Sequence, residues 1–260
     1  MMEFPDIKFQ HICFDKDGTL TDVHATWVPI TQRRAQKIVQ YFELPKTQLD
    51  DLCTVMGVDL RARRIMSGGP VGYKPRASII ASAVKWLSTQ KIQASDKQIA
   101  EIFREIDGEV QNRQDIKPQA LTGVVAGIKN LKQAGFKISI YTSDRHKNTE
   151  QVIGALGLAD DIDAIVGGDD VNSPKPDPEG FFKACTRVGI EVLQSVYVGD
   201  TVDDMRMARK SGCAAFFGLA HGLSSREELS AESVLVFETF DTLVDSFIKN
   251  KNGKKTTSTI

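Results

Sequence analysis

Four clusters of side chains in this 260-residue chain could do chemistry. The first is Asp15-Lys16-Asp17-Gly18-Thr19. The second is Thr142-Ser143-Asp144. The third is Lys175, set between Pro174 and Pro176. The fourth is Gly199-Asp200-Thr201-Val202-Asp203-Asp204. Each alone has an ordinary structural use. An aspartate pair followed by Gly-Thr can be a turn whose carboxylates accept backbone N–H groups. Thr142 can cap a helix, a lysine between prolines can be a solvated loop residue, and Gly-Asp-x-x-x-Asp can open a helix. Two carboxylates at a buried strand end repel each other, however, unless a cation sits there. Carboxylates from two segments, with a lysine and a hydroxyl, are a donor set for a hard cation and an anionic reactant.

The elements that must position these groups are legible. His11–Phe14 (HICF) is a short, mostly apolar run ending at Asp15, which reads as a buried parallel strand. Further strands are expected at Lys137–Tyr141, Ile162–Val166, Ser195–Val198, Cys213–Phe217 and Val234–Phe237. Helices are expected between them, at Thr149–Leu156, Glu179–Val188 and Asp203–Lys210, and one before them at Gly123–Gln133. Strands alternating with helices of about ten residues predict an α/β fold, a Rossmann-like parallel sheet with helices on both faces. In such sheets the reactive crevice lies at the carboxyl ends of the strands. All four clusters follow strands in chain order.

The first two strands are far apart in sequence. Residues 22–121 carry helical signals and no clear strand. Gln32–Phe42 and Thr47–Met56 read as helices. Pro75 opens another, with Ile79, Ile80, Ala83, Val84 and Leu87 on one face. Ser95-Asp-Lys-Gln98 is a capping box before Ile99, Ile102, Phe103, Ile106 and Val110. An all-helical insert of about 100 residues is therefore predicted. The expected organisation is a core of 1–21 and 122–250, an insert of 22–121, and a frayed tail beginning around Lys249 and filling 251–260.

Composition excludes several classes. Hydrophobic residues are 41% and charged residues 26%, ordinary for a globular chain rather than a coiled coil or a disordered one. The net charge of -1 supplies no field for a nucleic acid. No apolar run approaches the length of a membrane span, and Met-Met-Glu-Phe-Pro-Asp does not look like a secretory signal. The four cysteines form no C-x-x-C pair and read as reduced packing residues of a cytoplasmic protein. The charge is uneven: residues 22–121 hold 15 basic and 11 acidic side chains, a net of +4.

The four clusters in this order resemble the haloacid dehalogenase (HAD) superfamily of aspartate-nucleophile phosphohydrolases. The resemblance covers Ile12–Phe217, with the insert similar to that family's cap domain. Gly167-Gly168-Asp169 followed by Lys175-Pro-Asp-Pro is similar to the phosphoglycolate phosphatase-like branch. The resemblance implies Asp15 as nucleophile and Asp17 as acid and base, with Thr142 binding a phosphoryl oxygen and Lys175 offsetting charge. It implies Mg²⁺ held by Asp15, Asp200, the Asp17 backbone carbonyl and, through a water or an outer contact, Asp204; Asp203 could share that role. Two positions depart from the family pattern. Lys16 stands where an apolar residue is commoner, and reads as a local ion pair pointing away from the nucleophile. Ser143 stands where Asn is frequent.

A cap would exclude water and limit the substrate to a small phosphorylated metabolite, bound by a monomer or homodimer. Gly18, Ser143, His24, Arg64 and Lys74 are the candidate substrate-binding residues. Arg61, Arg63 and Arg76 join Arg64 and Lys74 in a basic cluster that could face an anion or simply be solvated. Trp27 could touch the leaving group or anchor the insert. A phosphosugar mutase on the same fold stays open, as does a phosphonate hydrolase using Lys37, Lys46 or Lys74. A dehalogenase has no use for Asp17, Asp200 and Asp204. A response-regulator receiver has no such insert. A non-catalytic binding module would be expected to lack a catalytic position, and none is missing.

Overall fold

The computed structural model describes Pro5 and residues 7–113 and 117–253. The chain divides into two compact units, one made of residues up to Asp22 and from Ala120 onward, the other of Val23–Gln119.

The first unit is built on β1 (His11–Phe14). After the insert the chain resumes with α5 (Val124–Gln133), then β4 (Lys137–Tyr141), α6 (His146–Ala155), β5 (Ala164–Val166) and α7 (Glu179–Val188). It continues through β6 (Ser195–Gly199), α8 (Val202–Ser211), β7 (Ala215–Leu219), α9 (Arg226–Glu232), β8 (Leu235–Phe237) and α10 (Phe240–Lys251). The six strands form one parallel sheet in the order β5-β4-β1-β6-β7-β8. β1 lies between β4 and β6, so the chain runs outward on both sides of it. This is the switch point where the loops diverge and leave a crevice.

Side chains alternate across the sheet. Ile12, Phe14, Ile138, Ile140, Val196 and Val198 pack with Val124, Ile128 and Leu131 of α5 and with Phe240, Leu243 and Phe247 of α10. Cys13, Tyr141 and Tyr197 face the other way, against Phe181, Ala184 and Cys185 of α7 and Met207 and Ala208 of α8. The helices therefore cover both faces. By the same alternation Asp15, beyond Phe14, falls in line with Cys13, on the face of the two tyrosines.

The predicted tail begins too early. α10 runs to Lys251. Leu243, Val244 and Phe247 recur at helical spacing and are buried, which carries the helix forward. Lys249 and Lys251 in its last turn complement the negative end of the helix dipole. The remainder of the predicted tail, 254–260, lies outside the described residues.

The second unit comprises α1 (Val23–Tyr41), α2 (Leu49–Met56), β2 (Val58–Asp59), β3 (Arg64–Ile65), α3 (Arg76–Thr89) and α4 (Asp96–Arg113). It is not all-helical: β2 and β3 pair antiparallel, Val58 with Ile65 and Asp59 with Arg64. Two-residue strands are too short to show alternation in sequence. The hairpin is made by its turn, where an Asp59 carboxylate oxygen accepts the N–H groups of Arg61 and Ala62 and Arg63 takes a φ of 51°. α1 also starts nine residues earlier than the sequence predicted and runs through Pro29. An interior proline costs about 3 kcal/mol, but Val23, Val28 and Ile30 are buried around it and offset that cost.

Candidate active site

Asp15 leaves β1 still in register with the sheet, its N–H donating to the Val198 carbonyl at 2.8 Å. The chain then turns sharply: Leu20 and Thr21 donate to the Lys16 carbonyl and Gly18 donates to Thr21. Gly18 sits at φ 92°, and a Cβ there would overlap the Asp200 carboxylate, so only glycine lets this turn pass. Asp200 follows β6 directly. Its Oδ1 accepts from Thr19 Oγ1 at 2.9 Å and its Oδ2 from the Leu223 N–H at 2.8 Å. Both oxygens are thereby aimed, and each keeps a lone pair.

Asp204 lies in the first turn of α8, where Thr201 and Asp204 cap each other reciprocally. Its Oδ2 accepts from Thr201, and its Oδ1 accepts from Tyr197 OH at 3.1 Å and Lys175 Nζ at 2.7 Å. Lys175 also donates to Asp15 Oδ1 at 2.5 Å. The lysine loop is fixed by Glu179, whose carboxylate accepts the N–H groups of Asn172 and Ser173 and pairs with Lys183.

Asp15, Asp200 and Asp204 are all buried, and one carboxylate oxygen from each lies within 4.8 Å of the others. Three carboxylates against one ammonium leave excess negative charge. Burial pushes the Asp15 carboxyl up to about 7, with Asp204 and Asp17 adding repulsion and Lys175 opposing it. Burial also pushes Asp200 well above the carboxylate range, with Asp15 and Asp204 adding to it. Lys175 is raised despite its burial, because Asp15 and Asp204 hold it charged. An all-oxygen cluster with uncompensated charge fits a hard divalent cation of the Mg²⁺ type.

Asp17 does not join this cluster. Its carboxylate pairs with Lys16 Nζ at 2.8 Å and accepts from Thr21 Oγ1 at 3.2 Å. Lys16 also pairs with Asp144 at 3.0 Å, and its side chain is only 4% exposed. Lys16 is thus an ion-pair residue, and it ties the loop after β1 to the loop after β4. In that second loop Thr142 is buried, and its Oγ1 accepts the Asp144 N–H at 3.1 Å. It is not the cap of α6; Arg145 holds that place without a side-chain bond. Ser143 is exposed, and its backbone lies against Gly168. The Gly167–Asp170 stretch folds onto the same loop: Gly168 donates to the Asp144 carbonyl, and Asp169 and Asp170 accept from His146.

Asp203 is half exposed, lies 3.9 Å from Arg206, and is not a member of the cluster. His24, Arg64 and Lys74 belong to the second unit. His24 Nδ1 accepts the Ile65 N–H at 3.1 Å, while Arg64 and Lys74 are exposed. Arg76 leaves the basic cluster to share Asp107 with the buried Arg34. Sequence reasoning missed Thr19, Tyr197 and the Leu223 N–H. Thr19 is inside the first motif, and Tyr197 shares a strand face with the site by alternation, so both carried a signal. A backbone N–H after β7 carried none.

Among the described residues no helix is long and apolar enough to cross a membrane, and all four cysteines are free. The family model for haloacid dehalogenase-like hydrolases matches residues 9–212. A protein of Dickeya dadantii (strain 3937) named "Probable phosphatase IndB" is 29% identical over 238 residues, covering 90% of this chain and 91% of that protein. A phosphoglycolate phosphatase of Haemophilus influenzae (strain 86-028NP) is 27% identical over 220 residues, 83% of this chain and 87% of its own length. A crystal structure from Haemophilus somnus 129pt, described as a predicted phosphoglycolate phosphatase, superposes with a TM-score of 0.70 at 20% identity, covering 91% of this chain and 97% of that one. At that identity the likeness concerns the fold. With a parallel sheet that switches direction at β1 and aspartates gathered at its carboxyl edge, the chain belongs to the haloacid dehalogenase-like hydrolases.

Proposed function

We propose that this protein hydrolyses a small phosphate monoester through an aspartyl-phosphate on Asp15, with Mg²⁺ bound by Asp15, Asp200 and the Asp17 backbone carbonyl, and Asp204 alongside. The observation that carries the reading is the buried Asp15–Asp200–Asp204 cluster with Lys175 bonded across it. The ion would neutralise charge on a dianionic phosphoryl group that carboxylates otherwise repel.

Asp15 attacks phosphorus, and the bond from phosphorus to the leaving oxygen breaks. Asp17 delivers a proton to that oxygen. Water then attacks the aspartyl-phosphate, Asp17 takes its proton, and inorganic phosphate leaves with the Asp15 carboxylate restored. Lys16 pairs with the Asp17 carboxylate at 2.8 Å and so orients it for both proton transfers. Lys175 offsets charge on Asp15 and on the phosphoryl group, and the Thr142 hydroxyl donates to a phosphoryl oxygen. His24, Arg64 and Lys74 are the candidates for choosing among esters. Phosphoglycolate heads the substrate panel because the relatives bear that name. Four free cysteines suit a cytoplasmic, reducing setting.

The test is phosphate release from phosphorylated metabolites, with Mg²⁺, with chelator, and with Asp15→Asn. Release that needs Mg²⁺ and vanishes in Asp15→Asn, while that variant keeps its fold, supports the proposal. Release by Asp15→Asn at the wild-type rate, or after exhaustive chelation, overturns it. Phosphate moved between sugar hydroxyls, without release, would identify a mutase instead.

A further inference from the structure

The Lys175 ammonium is almost wholly enclosed, with its side chain 7% exposed. Its hydrogen bonds to Asp15 and Asp204 account for part of its surroundings. The rest is aromatic. The nitrogen lies 4.9 Å from the centroid of the Tyr141 ring and 5.5 Å from that of Tyr197, both within cation–π range. Tyr141 ends β4, and Tyr197 stands in the middle of β6, on the two strands flanking β1. Alternation turns both rings to the face carrying α7, in one cluster with Cys13 and Phe181.

Two features show that the rings themselves matter. Tyr141 OH is buried and has no hydrogen-bond partner among the described residues, so Tyr141→Phe removes the hydroxyl without breaking a bond. Gly180, in the first turn of α7, leaves the room that the Tyr141 ring fills: a Cβ there would overlap its ring atoms. A glycine inside a helix is unfavourable by itself, and here it admits an aromatic ring beside the lysine. Tyr197 is tethered separately, its hydroxyl donating between Asp204 Oδ1 and the Tyr141 carbonyl.

We infer that Tyr141 and Tyr197 form an aromatic cage that fixes the Lys175 ammonium between Asp15 and Asp204, and that they are positioning residues for this lysine. A lysine stem is flexible and its head is a point charge. Two ring faces restrict the head without competing for its N–H groups, leaving it directed at Asp15 and the arriving phosphoryl oxygen. The catalytic consequence rests on the role given to Lys175 under Proposed function; the cage itself does not.

The experiment therefore has two arms. In the first, methylene-labelled lysine is followed by NMR in the whole protein, with Lys175 assigned by its loss in Lys175→Arg. Ring currents place its ε-CH₂ protons upfield of the other lysines, and Tyr141→Leu moves them back while Tyr141→Phe does not. In the second, p-nitrophenyl phosphate is hydrolysed with Mg²⁺. Tyr141→Phe keeps the wild-type kcat, and Tyr141→Leu loses about tenfold in kcat with KM shifted less than about threefold. An unshifted Lys175 signal in the wild type overturns the inference, and so does an unchanged kcat in a folded Tyr141→Leu. Should Tyr141→Leu not fold, the wild-type Lys175 signal and its displacement in Gly180→Ala decide the matter. If the wild type hydrolyses no phosphate ester, the phosphatase reading fails, and the NMR arm alone decides the cage.

Discussion

Acidification is expected to weaken this fold in part through His11. The residue begins β1, the strand that delivers Asp15, and is fully buried. Nδ1 lies 2.9 Å from Ser195 Oγ and Nε2 lies 2.7 Å from Ser139 Oγ. Ser195 Oγ donates to the Glu191 carbonyl at 2.9 Å. It therefore accepts from His11, which places the ring proton on Nδ1 and leaves Nε2 to accept from Ser139. The neutral ring is fully bonded, and burial lowers its pKa from 6.5 to about 4, with the Asp163 charge opposing. In the unfolded chain the ring titrates at its ordinary value. Between the two values the unfolded state binds a proton that the folded state refuses. The stabilisation is thus present above pH 6.5 and is lost as pH falls toward 4. A depression from 6.5 to about 4 gives a loss of about 2 kcal/mol between pH 7 and pH 5, and about 3 kcal/mol by pH 4.

The assay is urea unfolding at each pH with chelator present, for the wild type and for His11→Gln, whose amide carries one donor and one acceptor and does not titrate. His11→Gln will differ in absolute stability, so the slopes against pH are compared. The wild-type curve is expected to fall more steeply by about 2 kcal/mol from pH 7 to pH 5. Parallel curves would refute the reasoning, because they would mean that the folded and unfolded states hold this proton alike.

Two further predictions follow from the loops around the cluster. Thr19→Val keeps the shape but removes the donor to Asp200 Oδ1, so Mg²⁺ affinity should fall by about ten- to a hundredfold, read as the Mg²⁺ concentration needed to raise Tm; an unchanged dependence would remove Thr19 from the site. Lys16→Met removes the ammonium that holds the Asp17 carboxylate in place, so Asp17 is less well aimed at the attacking water. The aspartyl-phosphate should then accumulate, giving a burst of alcohol release ahead of phosphate in rapid-quench experiments, and equal rates for both products would count against it.

Much of the core was legible because chemistry and sheet obey local rules. HICF is buried by composition, and an aspartate at its end has to be explained. The Ser95–Gln98 capping box marks where α4 begins. Elsewhere local rules were overridden. α1 starts before the predicted Gln32 and runs through Pro29, with Val28 and Ile30 buried on either side of it. Val58–Ile65 gives no alternation, and an aspartate accepting from the turn makes the hairpin. Lys249 and Lys251 read as the start of a polar tail, yet the stripe that ends at Phe247 keeps them helical.

The division at the site has the same cause. Residue types and spacing along the chain were enough to nominate Asp15, Asp17, Thr142, Lys175, Asp200 and Asp204, because each comes in the loop or first helical turn after its strand, Lys175 the farthest along. Which groups meet was decided only in three dimensions. Lys16 reaches Asp144, 128 residues away; Thr19 and the Leu223 N–H take the two oxygens of Asp200 from opposite ends of the chain; Tyr141 and Tyr197 come to the same lysine from separate strands. These contacts depend on strand order and on register across β1. Both are set by packing between distant segments, which no local stretch of sequence encodes.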